Sequence, residues 1–308
     1  MNMISIVTPC WNESENVEEL YERIRETLKN LSYEYEHIFI DNASTDGTAE
    51  ILKDIASRDK RVKIIINARN FGHIRSPYYG LLQASGSAVI ILASDLQDPP
   101  ELIPDFISKW EQGYKIVIGI KTRSEEFGLY YFFRSLYYRT LRSLSDVPLV
   151  DNYTGFGLYD HYVIEILRTI KDPYPYFRGL IADIGFERAE VPFTQPRRKR
   201  GVTKNNFYTL YDMAMLGVTN HTKIPLRLAV IFGFLSAAAS FFIGLIYLLY
   251  KLFFWFEFSL GFAPIIIGLF FLGSIQLLFL GIIGEYIGAI YTQIMHRPLV
   301  IEKERINF

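Results

Sequence analysis

Hydrophobic positions along this chain follow two periods in turn. Residues 3–8 (MISIVT), 36–40 (EHIFI), 62–66 (VKIII), the start of 88–101 (AVIILASDLQDPPE) and 116–120 (IVIGI) are short, mostly apolar runs. That is the pattern of strands buried on both faces. Between the first two, Val17, Leu20, Tyr21, Ile24, Leu28 and Leu31 fall on one face of a helix, which Asn12 or Ser14 is placed to cap. Residues 41–48 (DNASTDGT) are rich in turn formers and lead into a short helix with Ile51, Leu52 and Ile55 inward. Arg69-Asn70-Phe71-Gly72 follows the third run, and a helix over 76–85 precedes the fourth. Strand–helix alternation of this kind predicts an α/β fold, a mostly parallel sheet with helices on both faces.

After Lys121 the pattern changes. Residues 127–144 (FGLYYFFRSLYYRTLRSL) crowd aromatics around Arg134, Arg139 and Arg142. They read as a helix lying in a membrane interface, or as an amphipathic helix packed on the sheet. Residues 151–160 (DNYTGFGLYD) read as a glycine-interrupted loop, and 173–186 hold a further short apolar segment. Arg197-Arg198-Lys199-Arg200, extended by Lys204, is either solvated or set to hold anionic lipid headgroups, the second being favoured beside a membrane. Residues 207–217 read as a second interfacial helix. Residues 228–250 and 258–284 then carry no charge at all. Each run exceeds the roughly 20 apolar residues that cross a bilayer as a helix, so two transmembrane helices are predicted. Lys223 and Arg227 precede the first span and His296, Arg297, Lys303 and Arg305 follow the second, while Lys251 and Glu257 cancel between them. The positive-inside rule therefore places both termini in the cytoplasm, with Glu285 at the interface.

Composition adds limits. The chain has 308 residues, half of them apolar, and a net charge of -1, which gives no support to nucleic-acid binding. Cys10 is the only cysteine, which excludes an intramolecular disulfide and fits a reducing compartment. A strand pattern begins at once, so no signal peptide is expected.

The candidate chemistry lies where the fourth run ends. Past Ala93 it breaks into Asp95, Gln97 and Asp98 and stops at Pro99-Pro100. A parallel strand ending in carboxylates sets them at the carboxyl edge of the sheet, where open α/β folds bind ligands. Asp95 and the Gln97 carbonyl are hard oxygen donors suited to Mg²⁺ or Mn²⁺ shared with a phosphate-bearing substrate. Asp98 reads better as an acidic N-cap of the helix that follows.

Taken in order, Pro9-Cys10-Trp11-Asn12-Glu13, residues 41–48, Arg69-Asn70-Phe71-Gly72, residues 95–101 (DLQDPPE) and Arg200-Gly201-Val202-Thr203-Lys204 resemble the motif series of family 2 glycosyltransferases. The branch they resemble is the polyprenyl-phosphate one, with dolichol-phosphate mannose synthases and bactoprenol glucosyltransferases. Gly284-Glu285-Tyr286-Ile287-Gly288 and Arg297-Pro298-Leu299 are similar to the two-span bactoprenol members. The resemblance implies a GT-A-like, nucleotide-binding fold and a metal-dependent, inverting transfer of a sugar from a nucleotide sugar to a polyprenyl phosphate, for cell-envelope glycans. It implies a multi-pass protein of the inner or plasma membrane and a homo-oligomer, tetramers included. By match, Pro9, Trp11, Glu13, Asp41 and Asn42, with Lys121 added, hold the nucleotide. Trp11 offers a stacking face, although core packing is its other reading. Asp95 and Gln97 hold the Mg²⁺ or Mn²⁺ that neutralises the leaving diphosphate. Arg134, Arg200 and Lys204 meet the acceptor phosphate, Arg134 having a snorkelling interfacial arginine as its alternative. The implied domains are a nucleotide-sugar-binding core (1–125), an acceptor-side region with interfacial helices (126–225), two transmembrane helices (226–292) and a cytoplasmic tail (293–308).

Four positions depart from the family pattern. Ala93 stands where the first carboxylate of an Asp-x-Asp pair is usual, and Gly155 and Gly157 stand where a carboxylate and an arginine are usual. Asn42 replaces a common aspartate. Asp151 is then the nearest acidic substitute for a base, or merely caps a turn, and joins Asp95, Arg134 and Lys204 as the catalytic set. A non-catalytic binder of nucleotide or lipid phosphate, and a transferase acting on a lipid hydroxyl, are the competing readings.

Overall fold

The computed structural model describes residues 3–29, 31–123, 150, 152–196, 211–212, 215–219, 222–254 and 262–308. The described residues of the first compact unit (residues 1–211 and 292–308) alternate strands and helices. In order they are β1 (Met3–Cys10), α1 (Val17–Leu28), β2 (Glu34–Asp41), α2 (Thr48–Arg58), β3 (Val62–Asn67), α3 (Gly72–Leu82), β4 (Ala88–Ile91), α4 (Ile103–Glu111) and β5 (Ile116–Arg123). There follow β6 (Tyr153–Asp160), α5 (His161–Thr169), α6 (Phe177–Asp183), β7 (Arg188–Thr194) and, after the apolar region, β8 (Glu302–Ile306).

The strands form one sheet in the order β7-β5-β6-β4-β1-β2-β3-β8. β1 to β5 and β7 run parallel, as the alternation predicts, but β6 and β8 run the other way. The mostly parallel sheet is thus a mixed one. The 151–160 segment, expected as a loop, is in fact strand β6, inserted between β4 and β5. Its glycines serve close packing: a Cβ at Gly157 would come within 2.4 Å of the Val117 carbonyl oxygen. Gly155 has φ +107°, a conformation L residues rarely adopt.

Period-2 alternation divides the core between the two faces. Ile4, Ile6, Phe39, Ile64, Ile90 and Val117 pack under α1, α2 and α4, and Val7, Ile38, Ile40, Val89 and Ile118 under α3, α5 and α6. In α1 the buried residues are Val17, Leu20, Tyr21, Ile24 and Leu28, the predicted face. Its N-cap is Asn16, with no side-chain cap bond, instead of Asn12 or Ser14. The helix expected over 76–85 begins earlier, at Gly72.

The second compact unit holds α7 (Ile224–Phe253) and α8 (Phe262–Ile294), of 30 and 33 residues. At 1.5 Å per residue each is about 45 Å long or more, ample for a hydrocarbon core of about 30 Å. Both are long and apolar enough to cross a membrane. The first interfacial helix expected at 127–144 and the basic run at 197–200 lie outside the described residues. Of 207–217, only residues 211–212 and 215–217 are described, as helix.

Candidate active site

The parallel strands end at one edge, and register brings their last residues level: Cys10 pairs with Asp41, and Val7 with Ile91. The loops after β1 and β2 are laced together there. Asn12, at φ 54°, accepts from the Thr45 N–H (2.8 Å), while its own N–H donates to Ser44 Oγ (2.8 Å). The Glu13 N–H donates to Thr48 Oγ1 (2.9 Å) and the Ser14 N–H to Asp46 Oδ2 (3.1 Å). Glu13 is buried and accepts from Asn16 Nδ2 (2.6 Å). Asp41 is fully buried and accepts from both the N–H and the hydroxyl of Ser44; burial pushes its carboxyl above the usual range. Trp11 lies beside this lattice at 38% exposure.

Asn42 is buried and uses its whole amide inside the protein. Its Nδ2 donates to Asn70 Oδ1 (2.9 Å) and to the Gly72 carbonyl (3.2 Å), and its Oδ1 accepts from Asn67 Nδ2 (3.0 Å) and the Phe71 N–H (2.9 Å). An aspartate could not make the first two bonds, because it has no donor. This cluster shapes the β3–α3 loop and starts α3 at Gly72. Nothing in the sequence signals it beyond the three asparagines.

On the β4 side, Ser94 Oγ donates to the Pro9 carbonyl (2.9 Å). Asp98 does not cap the next helix. It is buried and accepts from the Ala93 N–H (3.0 Å), closing the 93–98 turn on itself. Burial raises its carboxyl to about 6; Ala93's hydrogen bond opposes the rise, Asp95 adds to it, and the nearby Lys121 ammonium opposes it. Half-buried Asp95 accepts from the Gln97 N–H (3.2 Å), and Gln97 Nε2 donates to the Pro196 carbonyl (3.4 Å). Lys121 Nζ donates to Gln195 Oε1 (2.7 Å). The ends of β4, β5 and β7 thus converge, bringing Asp95, Gln97 and Lys121 to one place.

Among the described residues no three His, Cys, Asp or Glu side chains gather to hold a metal. One carboxylate (Asp95) and one amide oxygen (Gln97) fit a hard cation that completes its shell with phosphate oxygens and water; they do not form a standing cage. Arg134, Asp151, Arg200 and Lys204 lie outside the described residues. At the opposite edge of the sheet a cavity of about 870 Å³ opens against Met3, Tyr33, Tyr35, Arg61 and Lys63. Two of its cations are neutralised, Lys63 by Glu36 and Arg61 by Asp59, and none of the strand-end residues lines it.

Comparison with known proteins bears on this edge. The model of Glycosyl transferase family 2 matches residues 5–167, from β1 into α5. The uncharacterized glycosyltransferase YkcC of Bacillus subtilis is 36% identical over 300 residues, 96% of this chain and 92% of that protein. The bactoprenol glucosyl transferase of Shigella phage SfV is 32% identical over 301 residues, 97% of this chain and 98% of that one. Among solved structures, glucosyl-3-phosphoglycerate synthase from Mycobacterium tuberculosis, in complex with Mn²⁺, UDP and phosphoglyceric acid, superposes with a TM-score of 0.51. It is 20% identical and covers 71% of this chain and 76% of that one, a likeness of fold alone.

Proposed function

The chain belongs to glycosyl transferase family 2, and from that premise we propose that it transfers a sugar from a nucleotide sugar to a polyprenyl phosphate in the membrane. One observation carries the acceptor: likeness to a bactoprenol glucosyl transferase spans 97% of the chain, so it includes both apolar helices and not only the sheet. On this reading the first unit is a GT-A-like domain on the cytoplasmic side. Trp11 stacks on the base, with Pro9, Glu13 and Asp41 framing the nucleotide and Lys121 facing its diphosphate. Asn42 acts through the loop it shapes. Asp95 and Gln97 would hold Mg²⁺ or Mn²⁺ against the diphosphate, where the ion supplies charge stabilisation of the leaving group.

The acceptor chemistry suits a site poor in carboxylates. A hydroxyl nucleophile needs a positioned base, whereas a phosphate monoester, with a second pKa of about 6, is mostly the dianion near neutral pH. The protein's task is then to align that oxygen with the anomeric carbon, opposite the leaving diphosphate, so that configuration inverts. Position 155 needs no acid for this.

A second reading, a non-catalytic binder of nucleotide or lipid phosphate, is favoured by the same glycines: neither Gly155 nor Gly157 sits where a side chain is readily restored. Incubating the purified full chain with a panel of nucleotide sugars, Mn²⁺ and undecaprenyl phosphate separates the readings. The expected product carries a sugar-1-phosphate linkage. A glycoside on a lipid hydroxyl would overturn the proposed acceptor, and nucleotide binding without transfer would favour the non-catalytic reading.

A further inference from the structure

We infer that Glu302, on the strand that follows α8, is a positioning residue for the nucleotide; the inference rests on the reading just given and adds a residue from beyond the apolar helices to that site. β8 pairs antiparallel with β3, but not in plain register. Ile65 faces Arg305 and Ile66 faces Glu304, and then Asn67 faces Glu302, so Lys303 is a bulge with no residue opposite it. Paired residues share a face of a sheet, and side chains alternate along a strand. Without the bulge Glu302 would share the face of Glu304, whose carboxylate meets Lys53 on α2. With it, Glu302 turns to the other face beside Arg305, which is how a bulge re-aims a side chain. There Glu302 accepts from the Tyr79 hydroxyl (2.8 Å) and from Arg305 Nε (3.0 Å), and Arg305 Nη2 donates to Gln83 Oε1 (2.8 Å).

These bonds grip one flank of α3. Ser76, Tyr79 and Gln83 stand at the three- and four-residue spacings that bring side chains to one side of a helix, and Ser76 accepts from Asn67 Nδ2 (3.0 Å). The first turn of the same helix reaches the nucleotide edge. The Gly72 carbonyl accepts from Asn42 Nδ2 (3.2 Å) and the Phe71 N–H donates to Asn42 Oδ1 (2.9 Å), directly after Asp41. On the other side of this loop the Ala68 N–H donates to the Ile301 carbonyl (2.8 Å). The segment after α8 therefore brackets residues 69–72, by a backbone bond before them and by the Glu302 carboxylate on the helix that they start. Arg305 holds the Glu302 carboxyl below its usual range, against burial, so near neutral pH it is an acceptor for Tyr79. A loop ordered in advance spares the ligand the cost of ordering it.

The test uses the full chain in detergent. It measures hydrogen exchange of residues 68–72 by mass spectrometry, binding of a panel of nucleoside diphosphates by calorimetry, and retention of undecaprenyl phosphate by native mass spectrometry. Glu302→Ala should speed exchange at Phe71 and Gly72 and weaken the nucleotide that wild type binds about tenfold, because the loop must then be ordered on binding. Lipid retention should not change. Tyr79→Phe should reproduce the loss, and Glu302→Gln, which still accepts from Tyr79, should recover most of the affinity. Glu304→Ala, on the same strand but facing α2, should match wild type in all three measurements. Unchanged exchange in Glu302→Ala would overturn the inference. So would faster exchange with full nucleotide affinity, since the strand would then hold the loop without serving the site. Equal losses of nucleotide and lipid would also overturn it, leaving a merely structural strand. A wild type that binds no nucleotide would sink the proposed function and this role with it, whereas wild-type binding that Glu302→Ala leaves intact would sink the role alone.

Discussion

Acidification should unfold this protein partly through His37, a residue of the sheet interior. His37 has no exposed surface; its Nε2 is 2.9 Å from Thr8 Oγ1, its ring lies against Phe39, and Nδ1 has no partner. With Nε2–H donating to Thr8, neutral imidazole leaves only a bare lone pair at Nδ1. Protonation would bury a charged N–H with nothing to accept it. Burial accordingly lowers its pKa from 6.5 to about 3, against a small pull from Asp59. The folded value lies below the unfolded one, so the unfolded chain binds the proton first, and stability present above pH 6.5 is lost as pH falls towards 3. At about pH 4.5 the loss is two units, about 3 kcal/mol. His37→Phe removes the titration and costs about 1–2 kcal/mol at every pH, because Thr8 loses its partner. The two effects cross near about pH 5.5: the variant should be less stable than wild type at pH 7.5 and more stable at pH 4.5. Unfolding of the detergent-solubilised chain, followed by circular dichroism across this range, reads the crossing. Parallel curves for the two proteins would refute the argument, since carboxylate titration is common to both.

Three further outcomes are expected. Asp95→Asn should abolish sugar transfer with an unchanged unfolding midpoint; undiminished metal-dependent turnover would remove Asp95 from the site. Gly157→Ala should destabilise by about 3 kcal/mol, since its Cβ would meet the Val117 carbonyl oxygen at 2.4 Å, whereas Gly155→Ala has room and should cost about 1–2 kcal/mol for its positive φ. Chemical denaturation giving the reverse order would contradict the packing at β6. Asn42→Asp should cost about 3 kcal/mol at pH 7.5, through two lost donated bonds and a buried charge. The new carboxyl would titrate above its unfolded value, so the deficit should shrink as pH falls towards 4, and a deficit independent of pH would deny that the charge is buried.

What the chain made legible was whatever its hydrophobic period wrote down. β1 to β5 and the inward faces of α1 and α2 follow from apolar runs and helical spacing, and the two long apolar helices from the absence of charge. β6 escaped because its glycines, which read as loop formers, serve here to bring two strands together. β8 escaped because an edge strand of sequence EKERI has no apolar pattern. It is held by its surroundings: Glu302 accepts from the Tyr79 hydroxyl (2.8 Å), and Asn307 Nδ2 donates to the carbonyls of Ala56 and Val62. In the candidate site, the strand-end residues were legible because parallel strands must end at one edge. The bonding of Asn42 and Asp98 depends on tertiary neighbours that no local pattern encodes.

Ala93 follows β4 and Gly155 lies in β6, two strands that are neighbours in the sheet. β4 and β6 pair antiparallel as far as Ile91 and Gly157, and Ala93 and Gly155 both lie beyond that last pair. Both positions lack the carboxylate usual in the family, while Asp95 and Lys121 remain near Asp98. On the proposed reading two anions must meet in this site, the donor's diphosphate and the acceptor's phosphate. Like charges a few ångströms apart in a partly dry site repel by several kcal/mol at an effective dielectric of about 20. Each carboxylate absent from the site lessens that repulsion, and the nearby Lys121 cation offsets part of what is left. A hydroxyl acceptor would gain nothing from the same change and would lose its base. The pairing of the two losses therefore argues for an acceptor that arrives already charged.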